Sequence, residues 1–274
     1  MKQFVALTVI LMICLSVADA DAQWPRGKQK GYVQASYGRG TADQGYDPDG
    51  NVEPLGGVDD PQELDDKGLY MYAEYGLSET MTLVMSSYAK RLGVQTATDQ
   101  THTKGVADLT LVLRYAAFKG EKWVVSTETG MRVPSGYDPA ATPPLGSGEI
   151  DFLFGATAGL SLHPTPGYLG SSFGFRARGG IISNEYYGHI EAGMFPHPKL
   201  LVRGRMDFVE STAHETSAFD VMTQVTEQGY LTVGPGLSIL ATGKWQVHLD
   251  ARWTTRGRTT SKIGSVAGGV AFLW

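Results

Sequence analysis

Residues 244–256 read KWQVHLDARWTTR, and apolar and polar side chains alternate along the whole stretch. One face carries Trp245, Val247, Leu249, Ala251 and Trp253, and the other carries Lys244, Gln246, His248, Asp250, Arg252, Thr254 and Arg256. Strands of water-soluble sheets also alternate, but they usually end after about 5 or 6 residues. A longer strand with one apolar face is typical of a tilted strand that crosses a membrane. The stretch therefore predicts a membrane strand.

The same alternation recurs through the chain, most clearly in 108–115, 149–162, 185–194 and 199–208. Extending the pattern predicts about 12 strands, with bounds uncertain by about 2–4 residues. The predicted strands are 31–42, 67–78, 80–93, 105–119, 121–133, 148–163, 167–179, 185–196, 199–212, 227–242, 244–257 and 261–274.

The connections between these strands alternate between short and long. The longer links are 43–66, 94–104, 134–147, 180–184, 213–226 and 258–260. Outer-membrane barrels have short periplasmic turns at one rim and longer extracellular loops at the other. The predicted fold is all-β: a transmembrane up-and-down antiparallel β-barrel of about 12 strands. An exported soluble β-protein is the alternative.

The N-terminus has the pattern of a secretory signal peptide. Lys2 precedes an apolar run at 4–17, and small residues recur up to Ala20 and Ala22. A positive start, a short apolar run and small residues at the cleavage site are the three parts of such a signal. We expect residues 1–22 to be the signal peptide and residues 23–274 to be an outer-membrane barrel in the cell outer membrane of a Gram-negative-type bacterium.

Composition excludes several classes of protein. Charged residues make up 19% of the 274 residues, below the usual ~25%, whereas glycine reaches 35 residues. The net charge of −5 gives no support for nucleic-acid binding, which needs a basic face. The only cysteine is Cys14, so no disulfide and no thiolate metal site is expected.

If the apolar faces meet lipid, the polar faces must line the interior, because a basic side chain in mid-membrane costs about 2–4 kcal/mol. The predicted lumen-lining residues are Glu74, Asp108, Arg114, Glu128, Asp151, Arg176, Arg178, Glu185, His189, Glu191, Arg203, Arg205, Asp207, His248, Asp250 and Arg252. Two interpretations stay open. The charges form a pore wall that orients a solute, or they bridge a narrow bore and largely close it.

Two long links have distinctive compositions. Link 43–66 carries nine acidic residues and no basic residue, which favours a solvated acidic loop over a calcium site, since Asp47-Pro48-Asp49-Gly50-Asn51 lacks the spaced bidentate glutamate. Link 134–147 is rich in proline and small residues, and it either folds inward as a constriction or covers the rim.

Enzyme signals are weak. His214, Glu215 and Asp220 share one long link, where a His–Asp pair of the omptin type would activate water. His189 and His248 are expected to be ion-paired in the lumen. No zinc-binding helix motif or phosphate loop occurs in the sequence. We expect no enzyme activity, no cofactor and no metal.

Several short motifs resemble one family. They are Trp24-Pro25-Arg26-Gly27-Lys28, residues 72–79 with Thr82-Leu83, residues 146–151, residues 175–178 with Asn184-Glu185, and the final Trp274. Together they resemble the bacterial outer-membrane β-barrels of the phenol-degradation meta-pathway transporter family, which is grouped loosely with channels of the fatty-acid-channel type.

The resemblance implies a channel for passive passage of small, hydrophobic or amphipathic solutes, with outer-membrane lipid and a small-molecule solute as partners. It also implies hand-over to the barrel-assembly machinery through the ending Phe272 and Trp274. The alternative is a structural or surface-interaction barrel with a plugged lumen, and an omptin-like surface hydrolase is a distant third.

Overall fold

A computed structural model gives the structure of the protein and describes residues 23–180, 182–213 and 227–274. The expected signal peptide, 1–22, lies outside the described residues. Within the described ranges, no helix is long and apolar enough to cross a membrane. The strands are β1 (Gly31–Ala42), β2 (Gln44–Tyr46), β3 (Val52–Pro54), β4 (Glu63–Gly76), β5 (Met81–Gln95), β6 (Gln100–Val106), β7 (Leu109–Lys119), β8 (Trp123–Val133), β9 (Asp151–Ser161), β10 (Gly167–Ala177), β11 (Glu185–His197), β12 (Leu200–Ser211), β13 (Gly229–Leu240), β14 (Trp245–Arg258), β15 (Thr260–Ser261) and β16 (Gly264–Leu273).

The large sheet closes on itself as an up-and-down barrel. Its order runs β4-β1-β16-β14-β13-β12-β11-β10-β9-β8-β7-β5-β6, and β4 also pairs with β5, so the circle is complete. All of these pairs are antiparallel, and the first strand joins the last through Tyr32 opposite Leu273. Because β6 and β7 pair with successive parts of β5, they occupy one strand position, and the barrel has twelve positions. The predicted fold is confirmed.

The exposure of β14 follows the alternation in its sequence. Leu249 is 54% exposed although it is apolar, whereas His248 beside it is 5% exposed. Trp245, Val247 and Trp253 are exposed like Leu249, and Gln246 and Thr254 are buried like His248. This arrangement is the reverse of a soluble protein, and it is the arrangement that a lipid-facing exterior requires.

Two features of the fold differ from the expected strand list. β2, β3 and β15 form a separate three-stranded sheet beyond the barrel, where the longer links 43–66 and 258–260 were expected to contain no strand. The expected link 94–104 is mostly strand, because β5 and β6 form a hairpin around a turn at 96–99. Strands of two or three residues depend on distant pairing partners, so local periodicity does not reveal them.

The two ends of the barrel are different. The turns at 77–80, 120–122, 162–166, 198–199 and 241–244 lie at one end, together with the start of β1 and the end of β16; we call this the short-turn end. The longer links lie at the opposite end, which we call the loop end. The outward-facing ion pairs Arg39–Asp65 and Arg258–Glu210 lie on strands close to the loop end, away from the middle of the apolar exterior.

Apolar side chains inside the barrel form one small cluster at each end. Ala42, Leu55, Leu64 and Val94 pack together at the loop end, with Leu92 and Ile263 against them. Tyr168, Phe195 and Leu201 pack together at the short-turn end, with Trp24 and Leu240 against them. Between these clusters the interior is polar, and this region holds the candidate site.

Candidate functional site

The structure brings the predicted lumen residues into a connected set of ion pairs and hydrogen bonds. All lie on barrel strands except Asp108, which separates β6 from β7, and Arg178, which follows β10. All are buried or half-buried except Arg252, which is exposed.

Glu74 is the centre of the first group of charges. Its carboxylate pairs with Arg26 and lies 3.2 Å from Nη1 of Arg114. It also accepts a hydrogen bond of 2.5 Å from the hydroxyl of Tyr72. Arg114 in turn donates to Glu128 over 2.8 Å. A buried carboxylate with this many donors has its charge compensated, which makes the group a rigid part of the wall.

The second group lies nearer the loop end. Arg132 pairs with Asp151 over 2.8 Å and with Asp108 over 3.3 Å. Arg176 pairs with Glu185, and Nη1 of Arg178 lies 3.6 Å from the other oxygen of the same carboxylate. Glu185 therefore joins Arg176 and Arg178 into one cluster.

The third group joins β11, β12 and β14. Arg203 pairs with Asp250 over 2.9 Å, across the intervening β13. Asp207 pairs with Arg205 over 2.6 Å and with Arg252 over 3.4 Å. Glu191 lies 3.9 Å from Arg205 and accepts a hydrogen bond of 2.6 Å from Tyr168.

The two lumen histidines make hydrogen bonds to neutral side chains. Nδ1 of His189 lies 2.7 Å from the hydroxyl of Ser172, and Nε2 lies 3.0 Å from the amide of Gln23. Nε2 of His248 lies 2.8 Å from the hydroxyl of Ser36. We expected ion pairs with carboxylates, and the structure instead gives each ring a serine partner on another strand.

The segment 23–30 lies across the short-turn end of the barrel. Trp24 packs with Tyr168, Phe195 and Leu201 on β10, β11 and β12. Two residues later, Arg26 pairs with Glu74 on β4, and its backbone amide donates to Thr82 on β5 over 3.1 Å. Since these contacts reach strands on different sides of the circle, the segment crosses the mouth of the barrel.

A cavity of about 480 Å³ lies at the loop end. Its wall comes from β4, β5, β7, β8 and β15, and its charged lining residues are Asp66, Lys90, Asp108, Arg132 and Arg178. Apolar lining comes from Leu64, Leu92, Leu145 and Ile263. The volume is within the range of ordinary ligand sites, about 300–1,000 Å³.

The link 134–150 forms part of this cavity wall. Leu145 is buried and lines the cavity together with Pro144 and Ser147. The hydroxyl of Tyr137 donates to Asp108 over 2.5 Å and accepts from the backbone amide of Gly148 over 2.9 Å. Of the two expected arrangements for this link, the structure has the one that folds inward.

In the acidic link 43–66, the best candidate calcium ligand, Asp47, is hydrogen-bonded to other residues of the same link. Both oxygens of Asp47 accept hydrogen bonds, from the backbone amides of Asp49 and Asn51 and from the side chain of Asn51, at 2.8–2.9 Å. The amide of Asn51 thereby holds the pKa of Asp47 below its usual range. Among the described residues, no group of three or more His, Cys, Asp or Glu is placed to hold a metal ion.

Sequence reasoning missed several residues of the interior. Arg132 on β8 and Lys90 on β5 lie within predicted strands, so the alternation was available to identify them. Asp66 lies on β4, which extends further toward the loop end than predicted. Arg26 precedes the first strand, where no periodic signal exists. The expected hydrolytic group at His214, Glu215 and Asp220 lies outside the described residues.

Comparisons with known proteins agree with this architecture. A sequence profile of the family described as "Putative MetA-pathway of phenol degradation" matches residues 39–271. No curated protein matches the sequence.

Solved structures with the same fold are outer-membrane proteins. The COG4313 outer membrane channel from Pseudomonas putida F1 is similar at a TM-score of 0.71 and 14% identity, covering 93% of this chain and 98% of that one. The translocator domain of the autotransporter NalP from Neisseria meningitidis has a TM-score of 0.55 at 11% identity, covering 98% and 95%. The NanC porin has a TM-score of 0.54 at 8% identity, covering 87% and 98%.

Proposed function

The chain belongs to the family described as "Putative MetA-pathway of phenol degradation", and from that membership and its barrel fold we propose that it is an outer-membrane channel for small hydrophobic or amphipathic solutes. Passage is passive, because the proposal needs only a path along the interior and no chemical step. The sixteen predicted lumen residues form the wall of that path.

One observation carries the proposal: a closed barrel with an apolar exterior has at its loop end an open cavity of about 480 Å³ whose lining is both apolar and charged. A barrel that served only as a membrane anchor would gain nothing from such a cavity. Mixed linings suit amphipathic molecules, since the apolar groups hold the body of the solute and the polar groups fix its orientation.

The segment across the short-turn end limits the size of the solutes that pass. Trp24 and the pair Arg26–Glu74 obstruct the periplasmic mouth, so large hydrophilic solutes are excluded while the segment stays in place. Movement of residues 23–30 is the step that opens the path.

The experiment compares the wild-type protein with Trp24→Ala in planar bilayers and in liposomes. The wild type should pass ions poorly and should carry a small aromatic solute such as benzyl alcohol faster than protein-free liposomes do. Trp24→Ala should raise the ion conductance about tenfold, which corresponds to a barrier lower by ~1.4 kcal/mol. Trp123→Ala, a change at the exposed exterior, serves as the matched control.

If neither protein passes any class of solute, the channel proposal is wrong. The competing function is then a structural or surface-interaction barrel with a plugged lumen. The small sheet of β2, β3 and β15 favours that function, because it presents the acidic link 43–66 as a folded surface. Deletion of residues 48–61 should abolish partner binding in that case and leave permeability unchanged.

Three expectations complete the proposal. Residues 1–22 direct export and are removed, and mass spectrometry of the outer-membrane form tests this. Phe272 and Trp274 serve recognition by the barrel-assembly machinery, so the double change Phe272→Ala with Trp274→Ala should lower assembly yield in cells. The protein is not an enzyme, so His214→Ala with Asp220→Ala should leave surface peptide and lipid cleavage unchanged.

A further inference from the structure

Arg178 is the residue of the cavity wall whose charge is least compensated by the protein. Its side chain is 6% exposed, and its Nε and Nη1 atoms have no hydrogen-bond partner. Its nearest carboxylate oxygen, Oε2 of Glu185, is 3.6 Å away, beyond hydrogen-bond distance, and Arg176 binds the same carboxylate. Buried guanidinium nitrogens without hydrogen bonds are costly, so the site favours an anion that completes them.

The other basic groups of the cavity are partnered. Arg132 pairs with Asp151 and Asp108, and Asp108 also accepts from Tyr137. Lys90 faces Asp66 and lies 5.8 Å from the ring of Tyr88. Arg178 therefore differs from the other basic groups: it lies buried in the cavity wall, and two of its guanidinium nitrogens have no hydrogen-bond partner in the protein.

Electrostatics around Arg178 support the same conclusion. Burial lowers the pKa of its guanidinium, and Glu185 and Asp151 offset only part of that effect while the nearby Arg132 adds to it. An arginine keeps its proton in proteins even so. A negative ligand at this place relieves the repulsion between two guanidinium groups.

The apolar lining of the cavity indicates what kind of molecule bears the anionic group. Leu92, Leu145 and Ile263 form apolar lining in the same cavity of about 480 Å³. A fully hydrated inorganic ion would leave this apolar surface uncovered, whereas an apolar body of about the size of an aromatic ring with a short substituent would cover it. Guanidinium groups match the planar, two-oxygen geometry of a carboxylate.

We infer that Arg178 binds the carboxylate of an amphipathic solute, whose apolar body lies against Leu92, Leu145 and Ile263. The inference rests on the proposed channel function and narrows its solutes to small apolar carboxylates. Arg178 then determines specificity, because a neutral analogue of the same shape gains nothing from the guanidinium.

The test measures benzoate and benzyl alcohol binding to the purified full-length barrel by isothermal titration calorimetry. The two probes share a ring and differ in charge. Wild-type protein should bind benzoate at least about tenfold more tightly than benzyl alcohol, and Arg178→Gln should lose that preference while binding of benzyl alcohol stays the same. Arg256→Gln, an exposed arginine on β14 outside the cavity lining, is the matched control and should change nothing.

A second variant changes affinity in the opposite direction. Glu185→Gln removes the carboxylate that competes for Arg178, so benzoate should bind more tightly than to the wild type. This variant keeps the inference testable if Arg178→Gln fails to assemble, which heat-modifiable mobility on gels reports. Inorganic phosphate is the third probe, and it should bind no better to the wild type than to Arg178→Gln.

The possible outcomes distinguish the role of Arg178 from the proposed channel function. Equal binding of benzoate and benzyl alcohol to the wild type, or looser benzoate binding by Glu185→Gln, overturns the role of Arg178 even when liposomes still pass benzyl alcohol. Phosphate binding that depends on Arg178 and equals benzoate binding shows a general anion site and also overturns the amphipathic assignment. Failure of every solute to pass liposomes contradicts the channel function instead.

Discussion

Gly31 lies beside the ring of Trp274 at the short-turn end, where the first and last strands close the barrel. A Cβ at position 31 would overlap the atoms of that ring. The ring also stacks near Phe272, with centroids 6.0 Å apart, so it has little room to move. The absent side chain of Gly31 therefore allows the C-terminal aromatic residue to seat across the closing seam.

Gly31→Ala should destabilise the barrel by about 1–3 kcal/mol, the usual effect of forcing extra volume into a packed place. The measurement is the urea midpoint of unfolding in detergent. Gly204→Ala is the control, since a Cβ at that strand glycine meets no atom within 4 Å. Equal midpoints for the two variants would contradict this account of the seam.

Tyr137 fixes the inward-folded link 134–150. Burial raises the pKa of its hydroxyl to about 12, so the group remains a proton donor to Asp108 from about pH 6 to pH 9. Tyr137→Phe removes that bond and the one from Gly148, each typically worth about 1 kcal/mol. Limited proteolysis should then cut residues 134–150 faster than in the wild type.

The wild-type cleavage rate in this link should be independent of pH over the same range, once the pH dependence of the protease is subtracted. Tyr115→Phe, a change on the exposed exterior, is the control and should leave cleavage as it is. Unchanged cleavage in Tyr137→Phe would mean that other contacts hold the link.

At the scale of the strand, β14 has one face suited to lipid and one face suited to the polar interior. Between residues 245 and 254, its odd-numbered side chains form the apolar exterior, and the even-numbered His248 and Asp250 reach Ser36 and Arg203 inside. Leu249→Arg should cost about 2–4 kcal/mol of unfolding free energy, because the guanidinium would lie in the hydrocarbon near the middle of the strand.

Unfolding from lipid vesicles, followed by tryptophan fluorescence, measures that cost. Val58→Arg makes the same chemical change at a link residue that is 85% exposed, and it should have no effect within about 0.5 kcal/mol. A cost below ~1 kcal/mol for Leu249→Arg would argue that this face of β14 meets water.

Strand positions were predictable to the extent that local periodicity encodes them. β1 occupies the predicted residues 31–42, and β14 differs from its prediction by one residue at each end. The failures lie where pairing is long-range: β15 has two residues and exists because Thr260 and Ser261 meet Tyr46 and Gly45. Alternation carries no information about such contacts.

The sequence predicts which side chains face the interior, but it does not predict which of those side chains contact each other. The alternation identified Glu74, Arg114 and Asp151 as a polar face, because lipid excludes charge from the other face. It did not identify Arg26 as the partner of Glu74, since the segment before β1 has no period. Which side chains meet across the bore depends on strand register and barrel closure.

At the scale of the whole molecule, the two ends of the barrel differ in structure. Trp24 and its neighbours lie across the short-turn end, whereas the loop end holds the cavity with Arg178 in its wall. If the chain is the channel proposed above, a solute that enters at the loop end meets the cavity before it meets residues 23–30. This order suits capture at low concentration followed by release when residues 23–30 move.

All of these properties require a closed barrel with lipid outside and water inside. Single-cysteine scanning of residues 245–254 tests this directly, because Cys14 is the only natural cysteine and lies in the expected signal peptide. Each cysteine carries a nitroxide label in reconstituted vesicles, and its accessibility to oxygen is compared with that to a water-soluble nickel complex. The account predicts a period of two, with oxygen favoured at 245, 247, 249, 251 and 253 and the nickel complex favoured at the even positions. A uniform profile, or one with the opposite phase, would contradict the account.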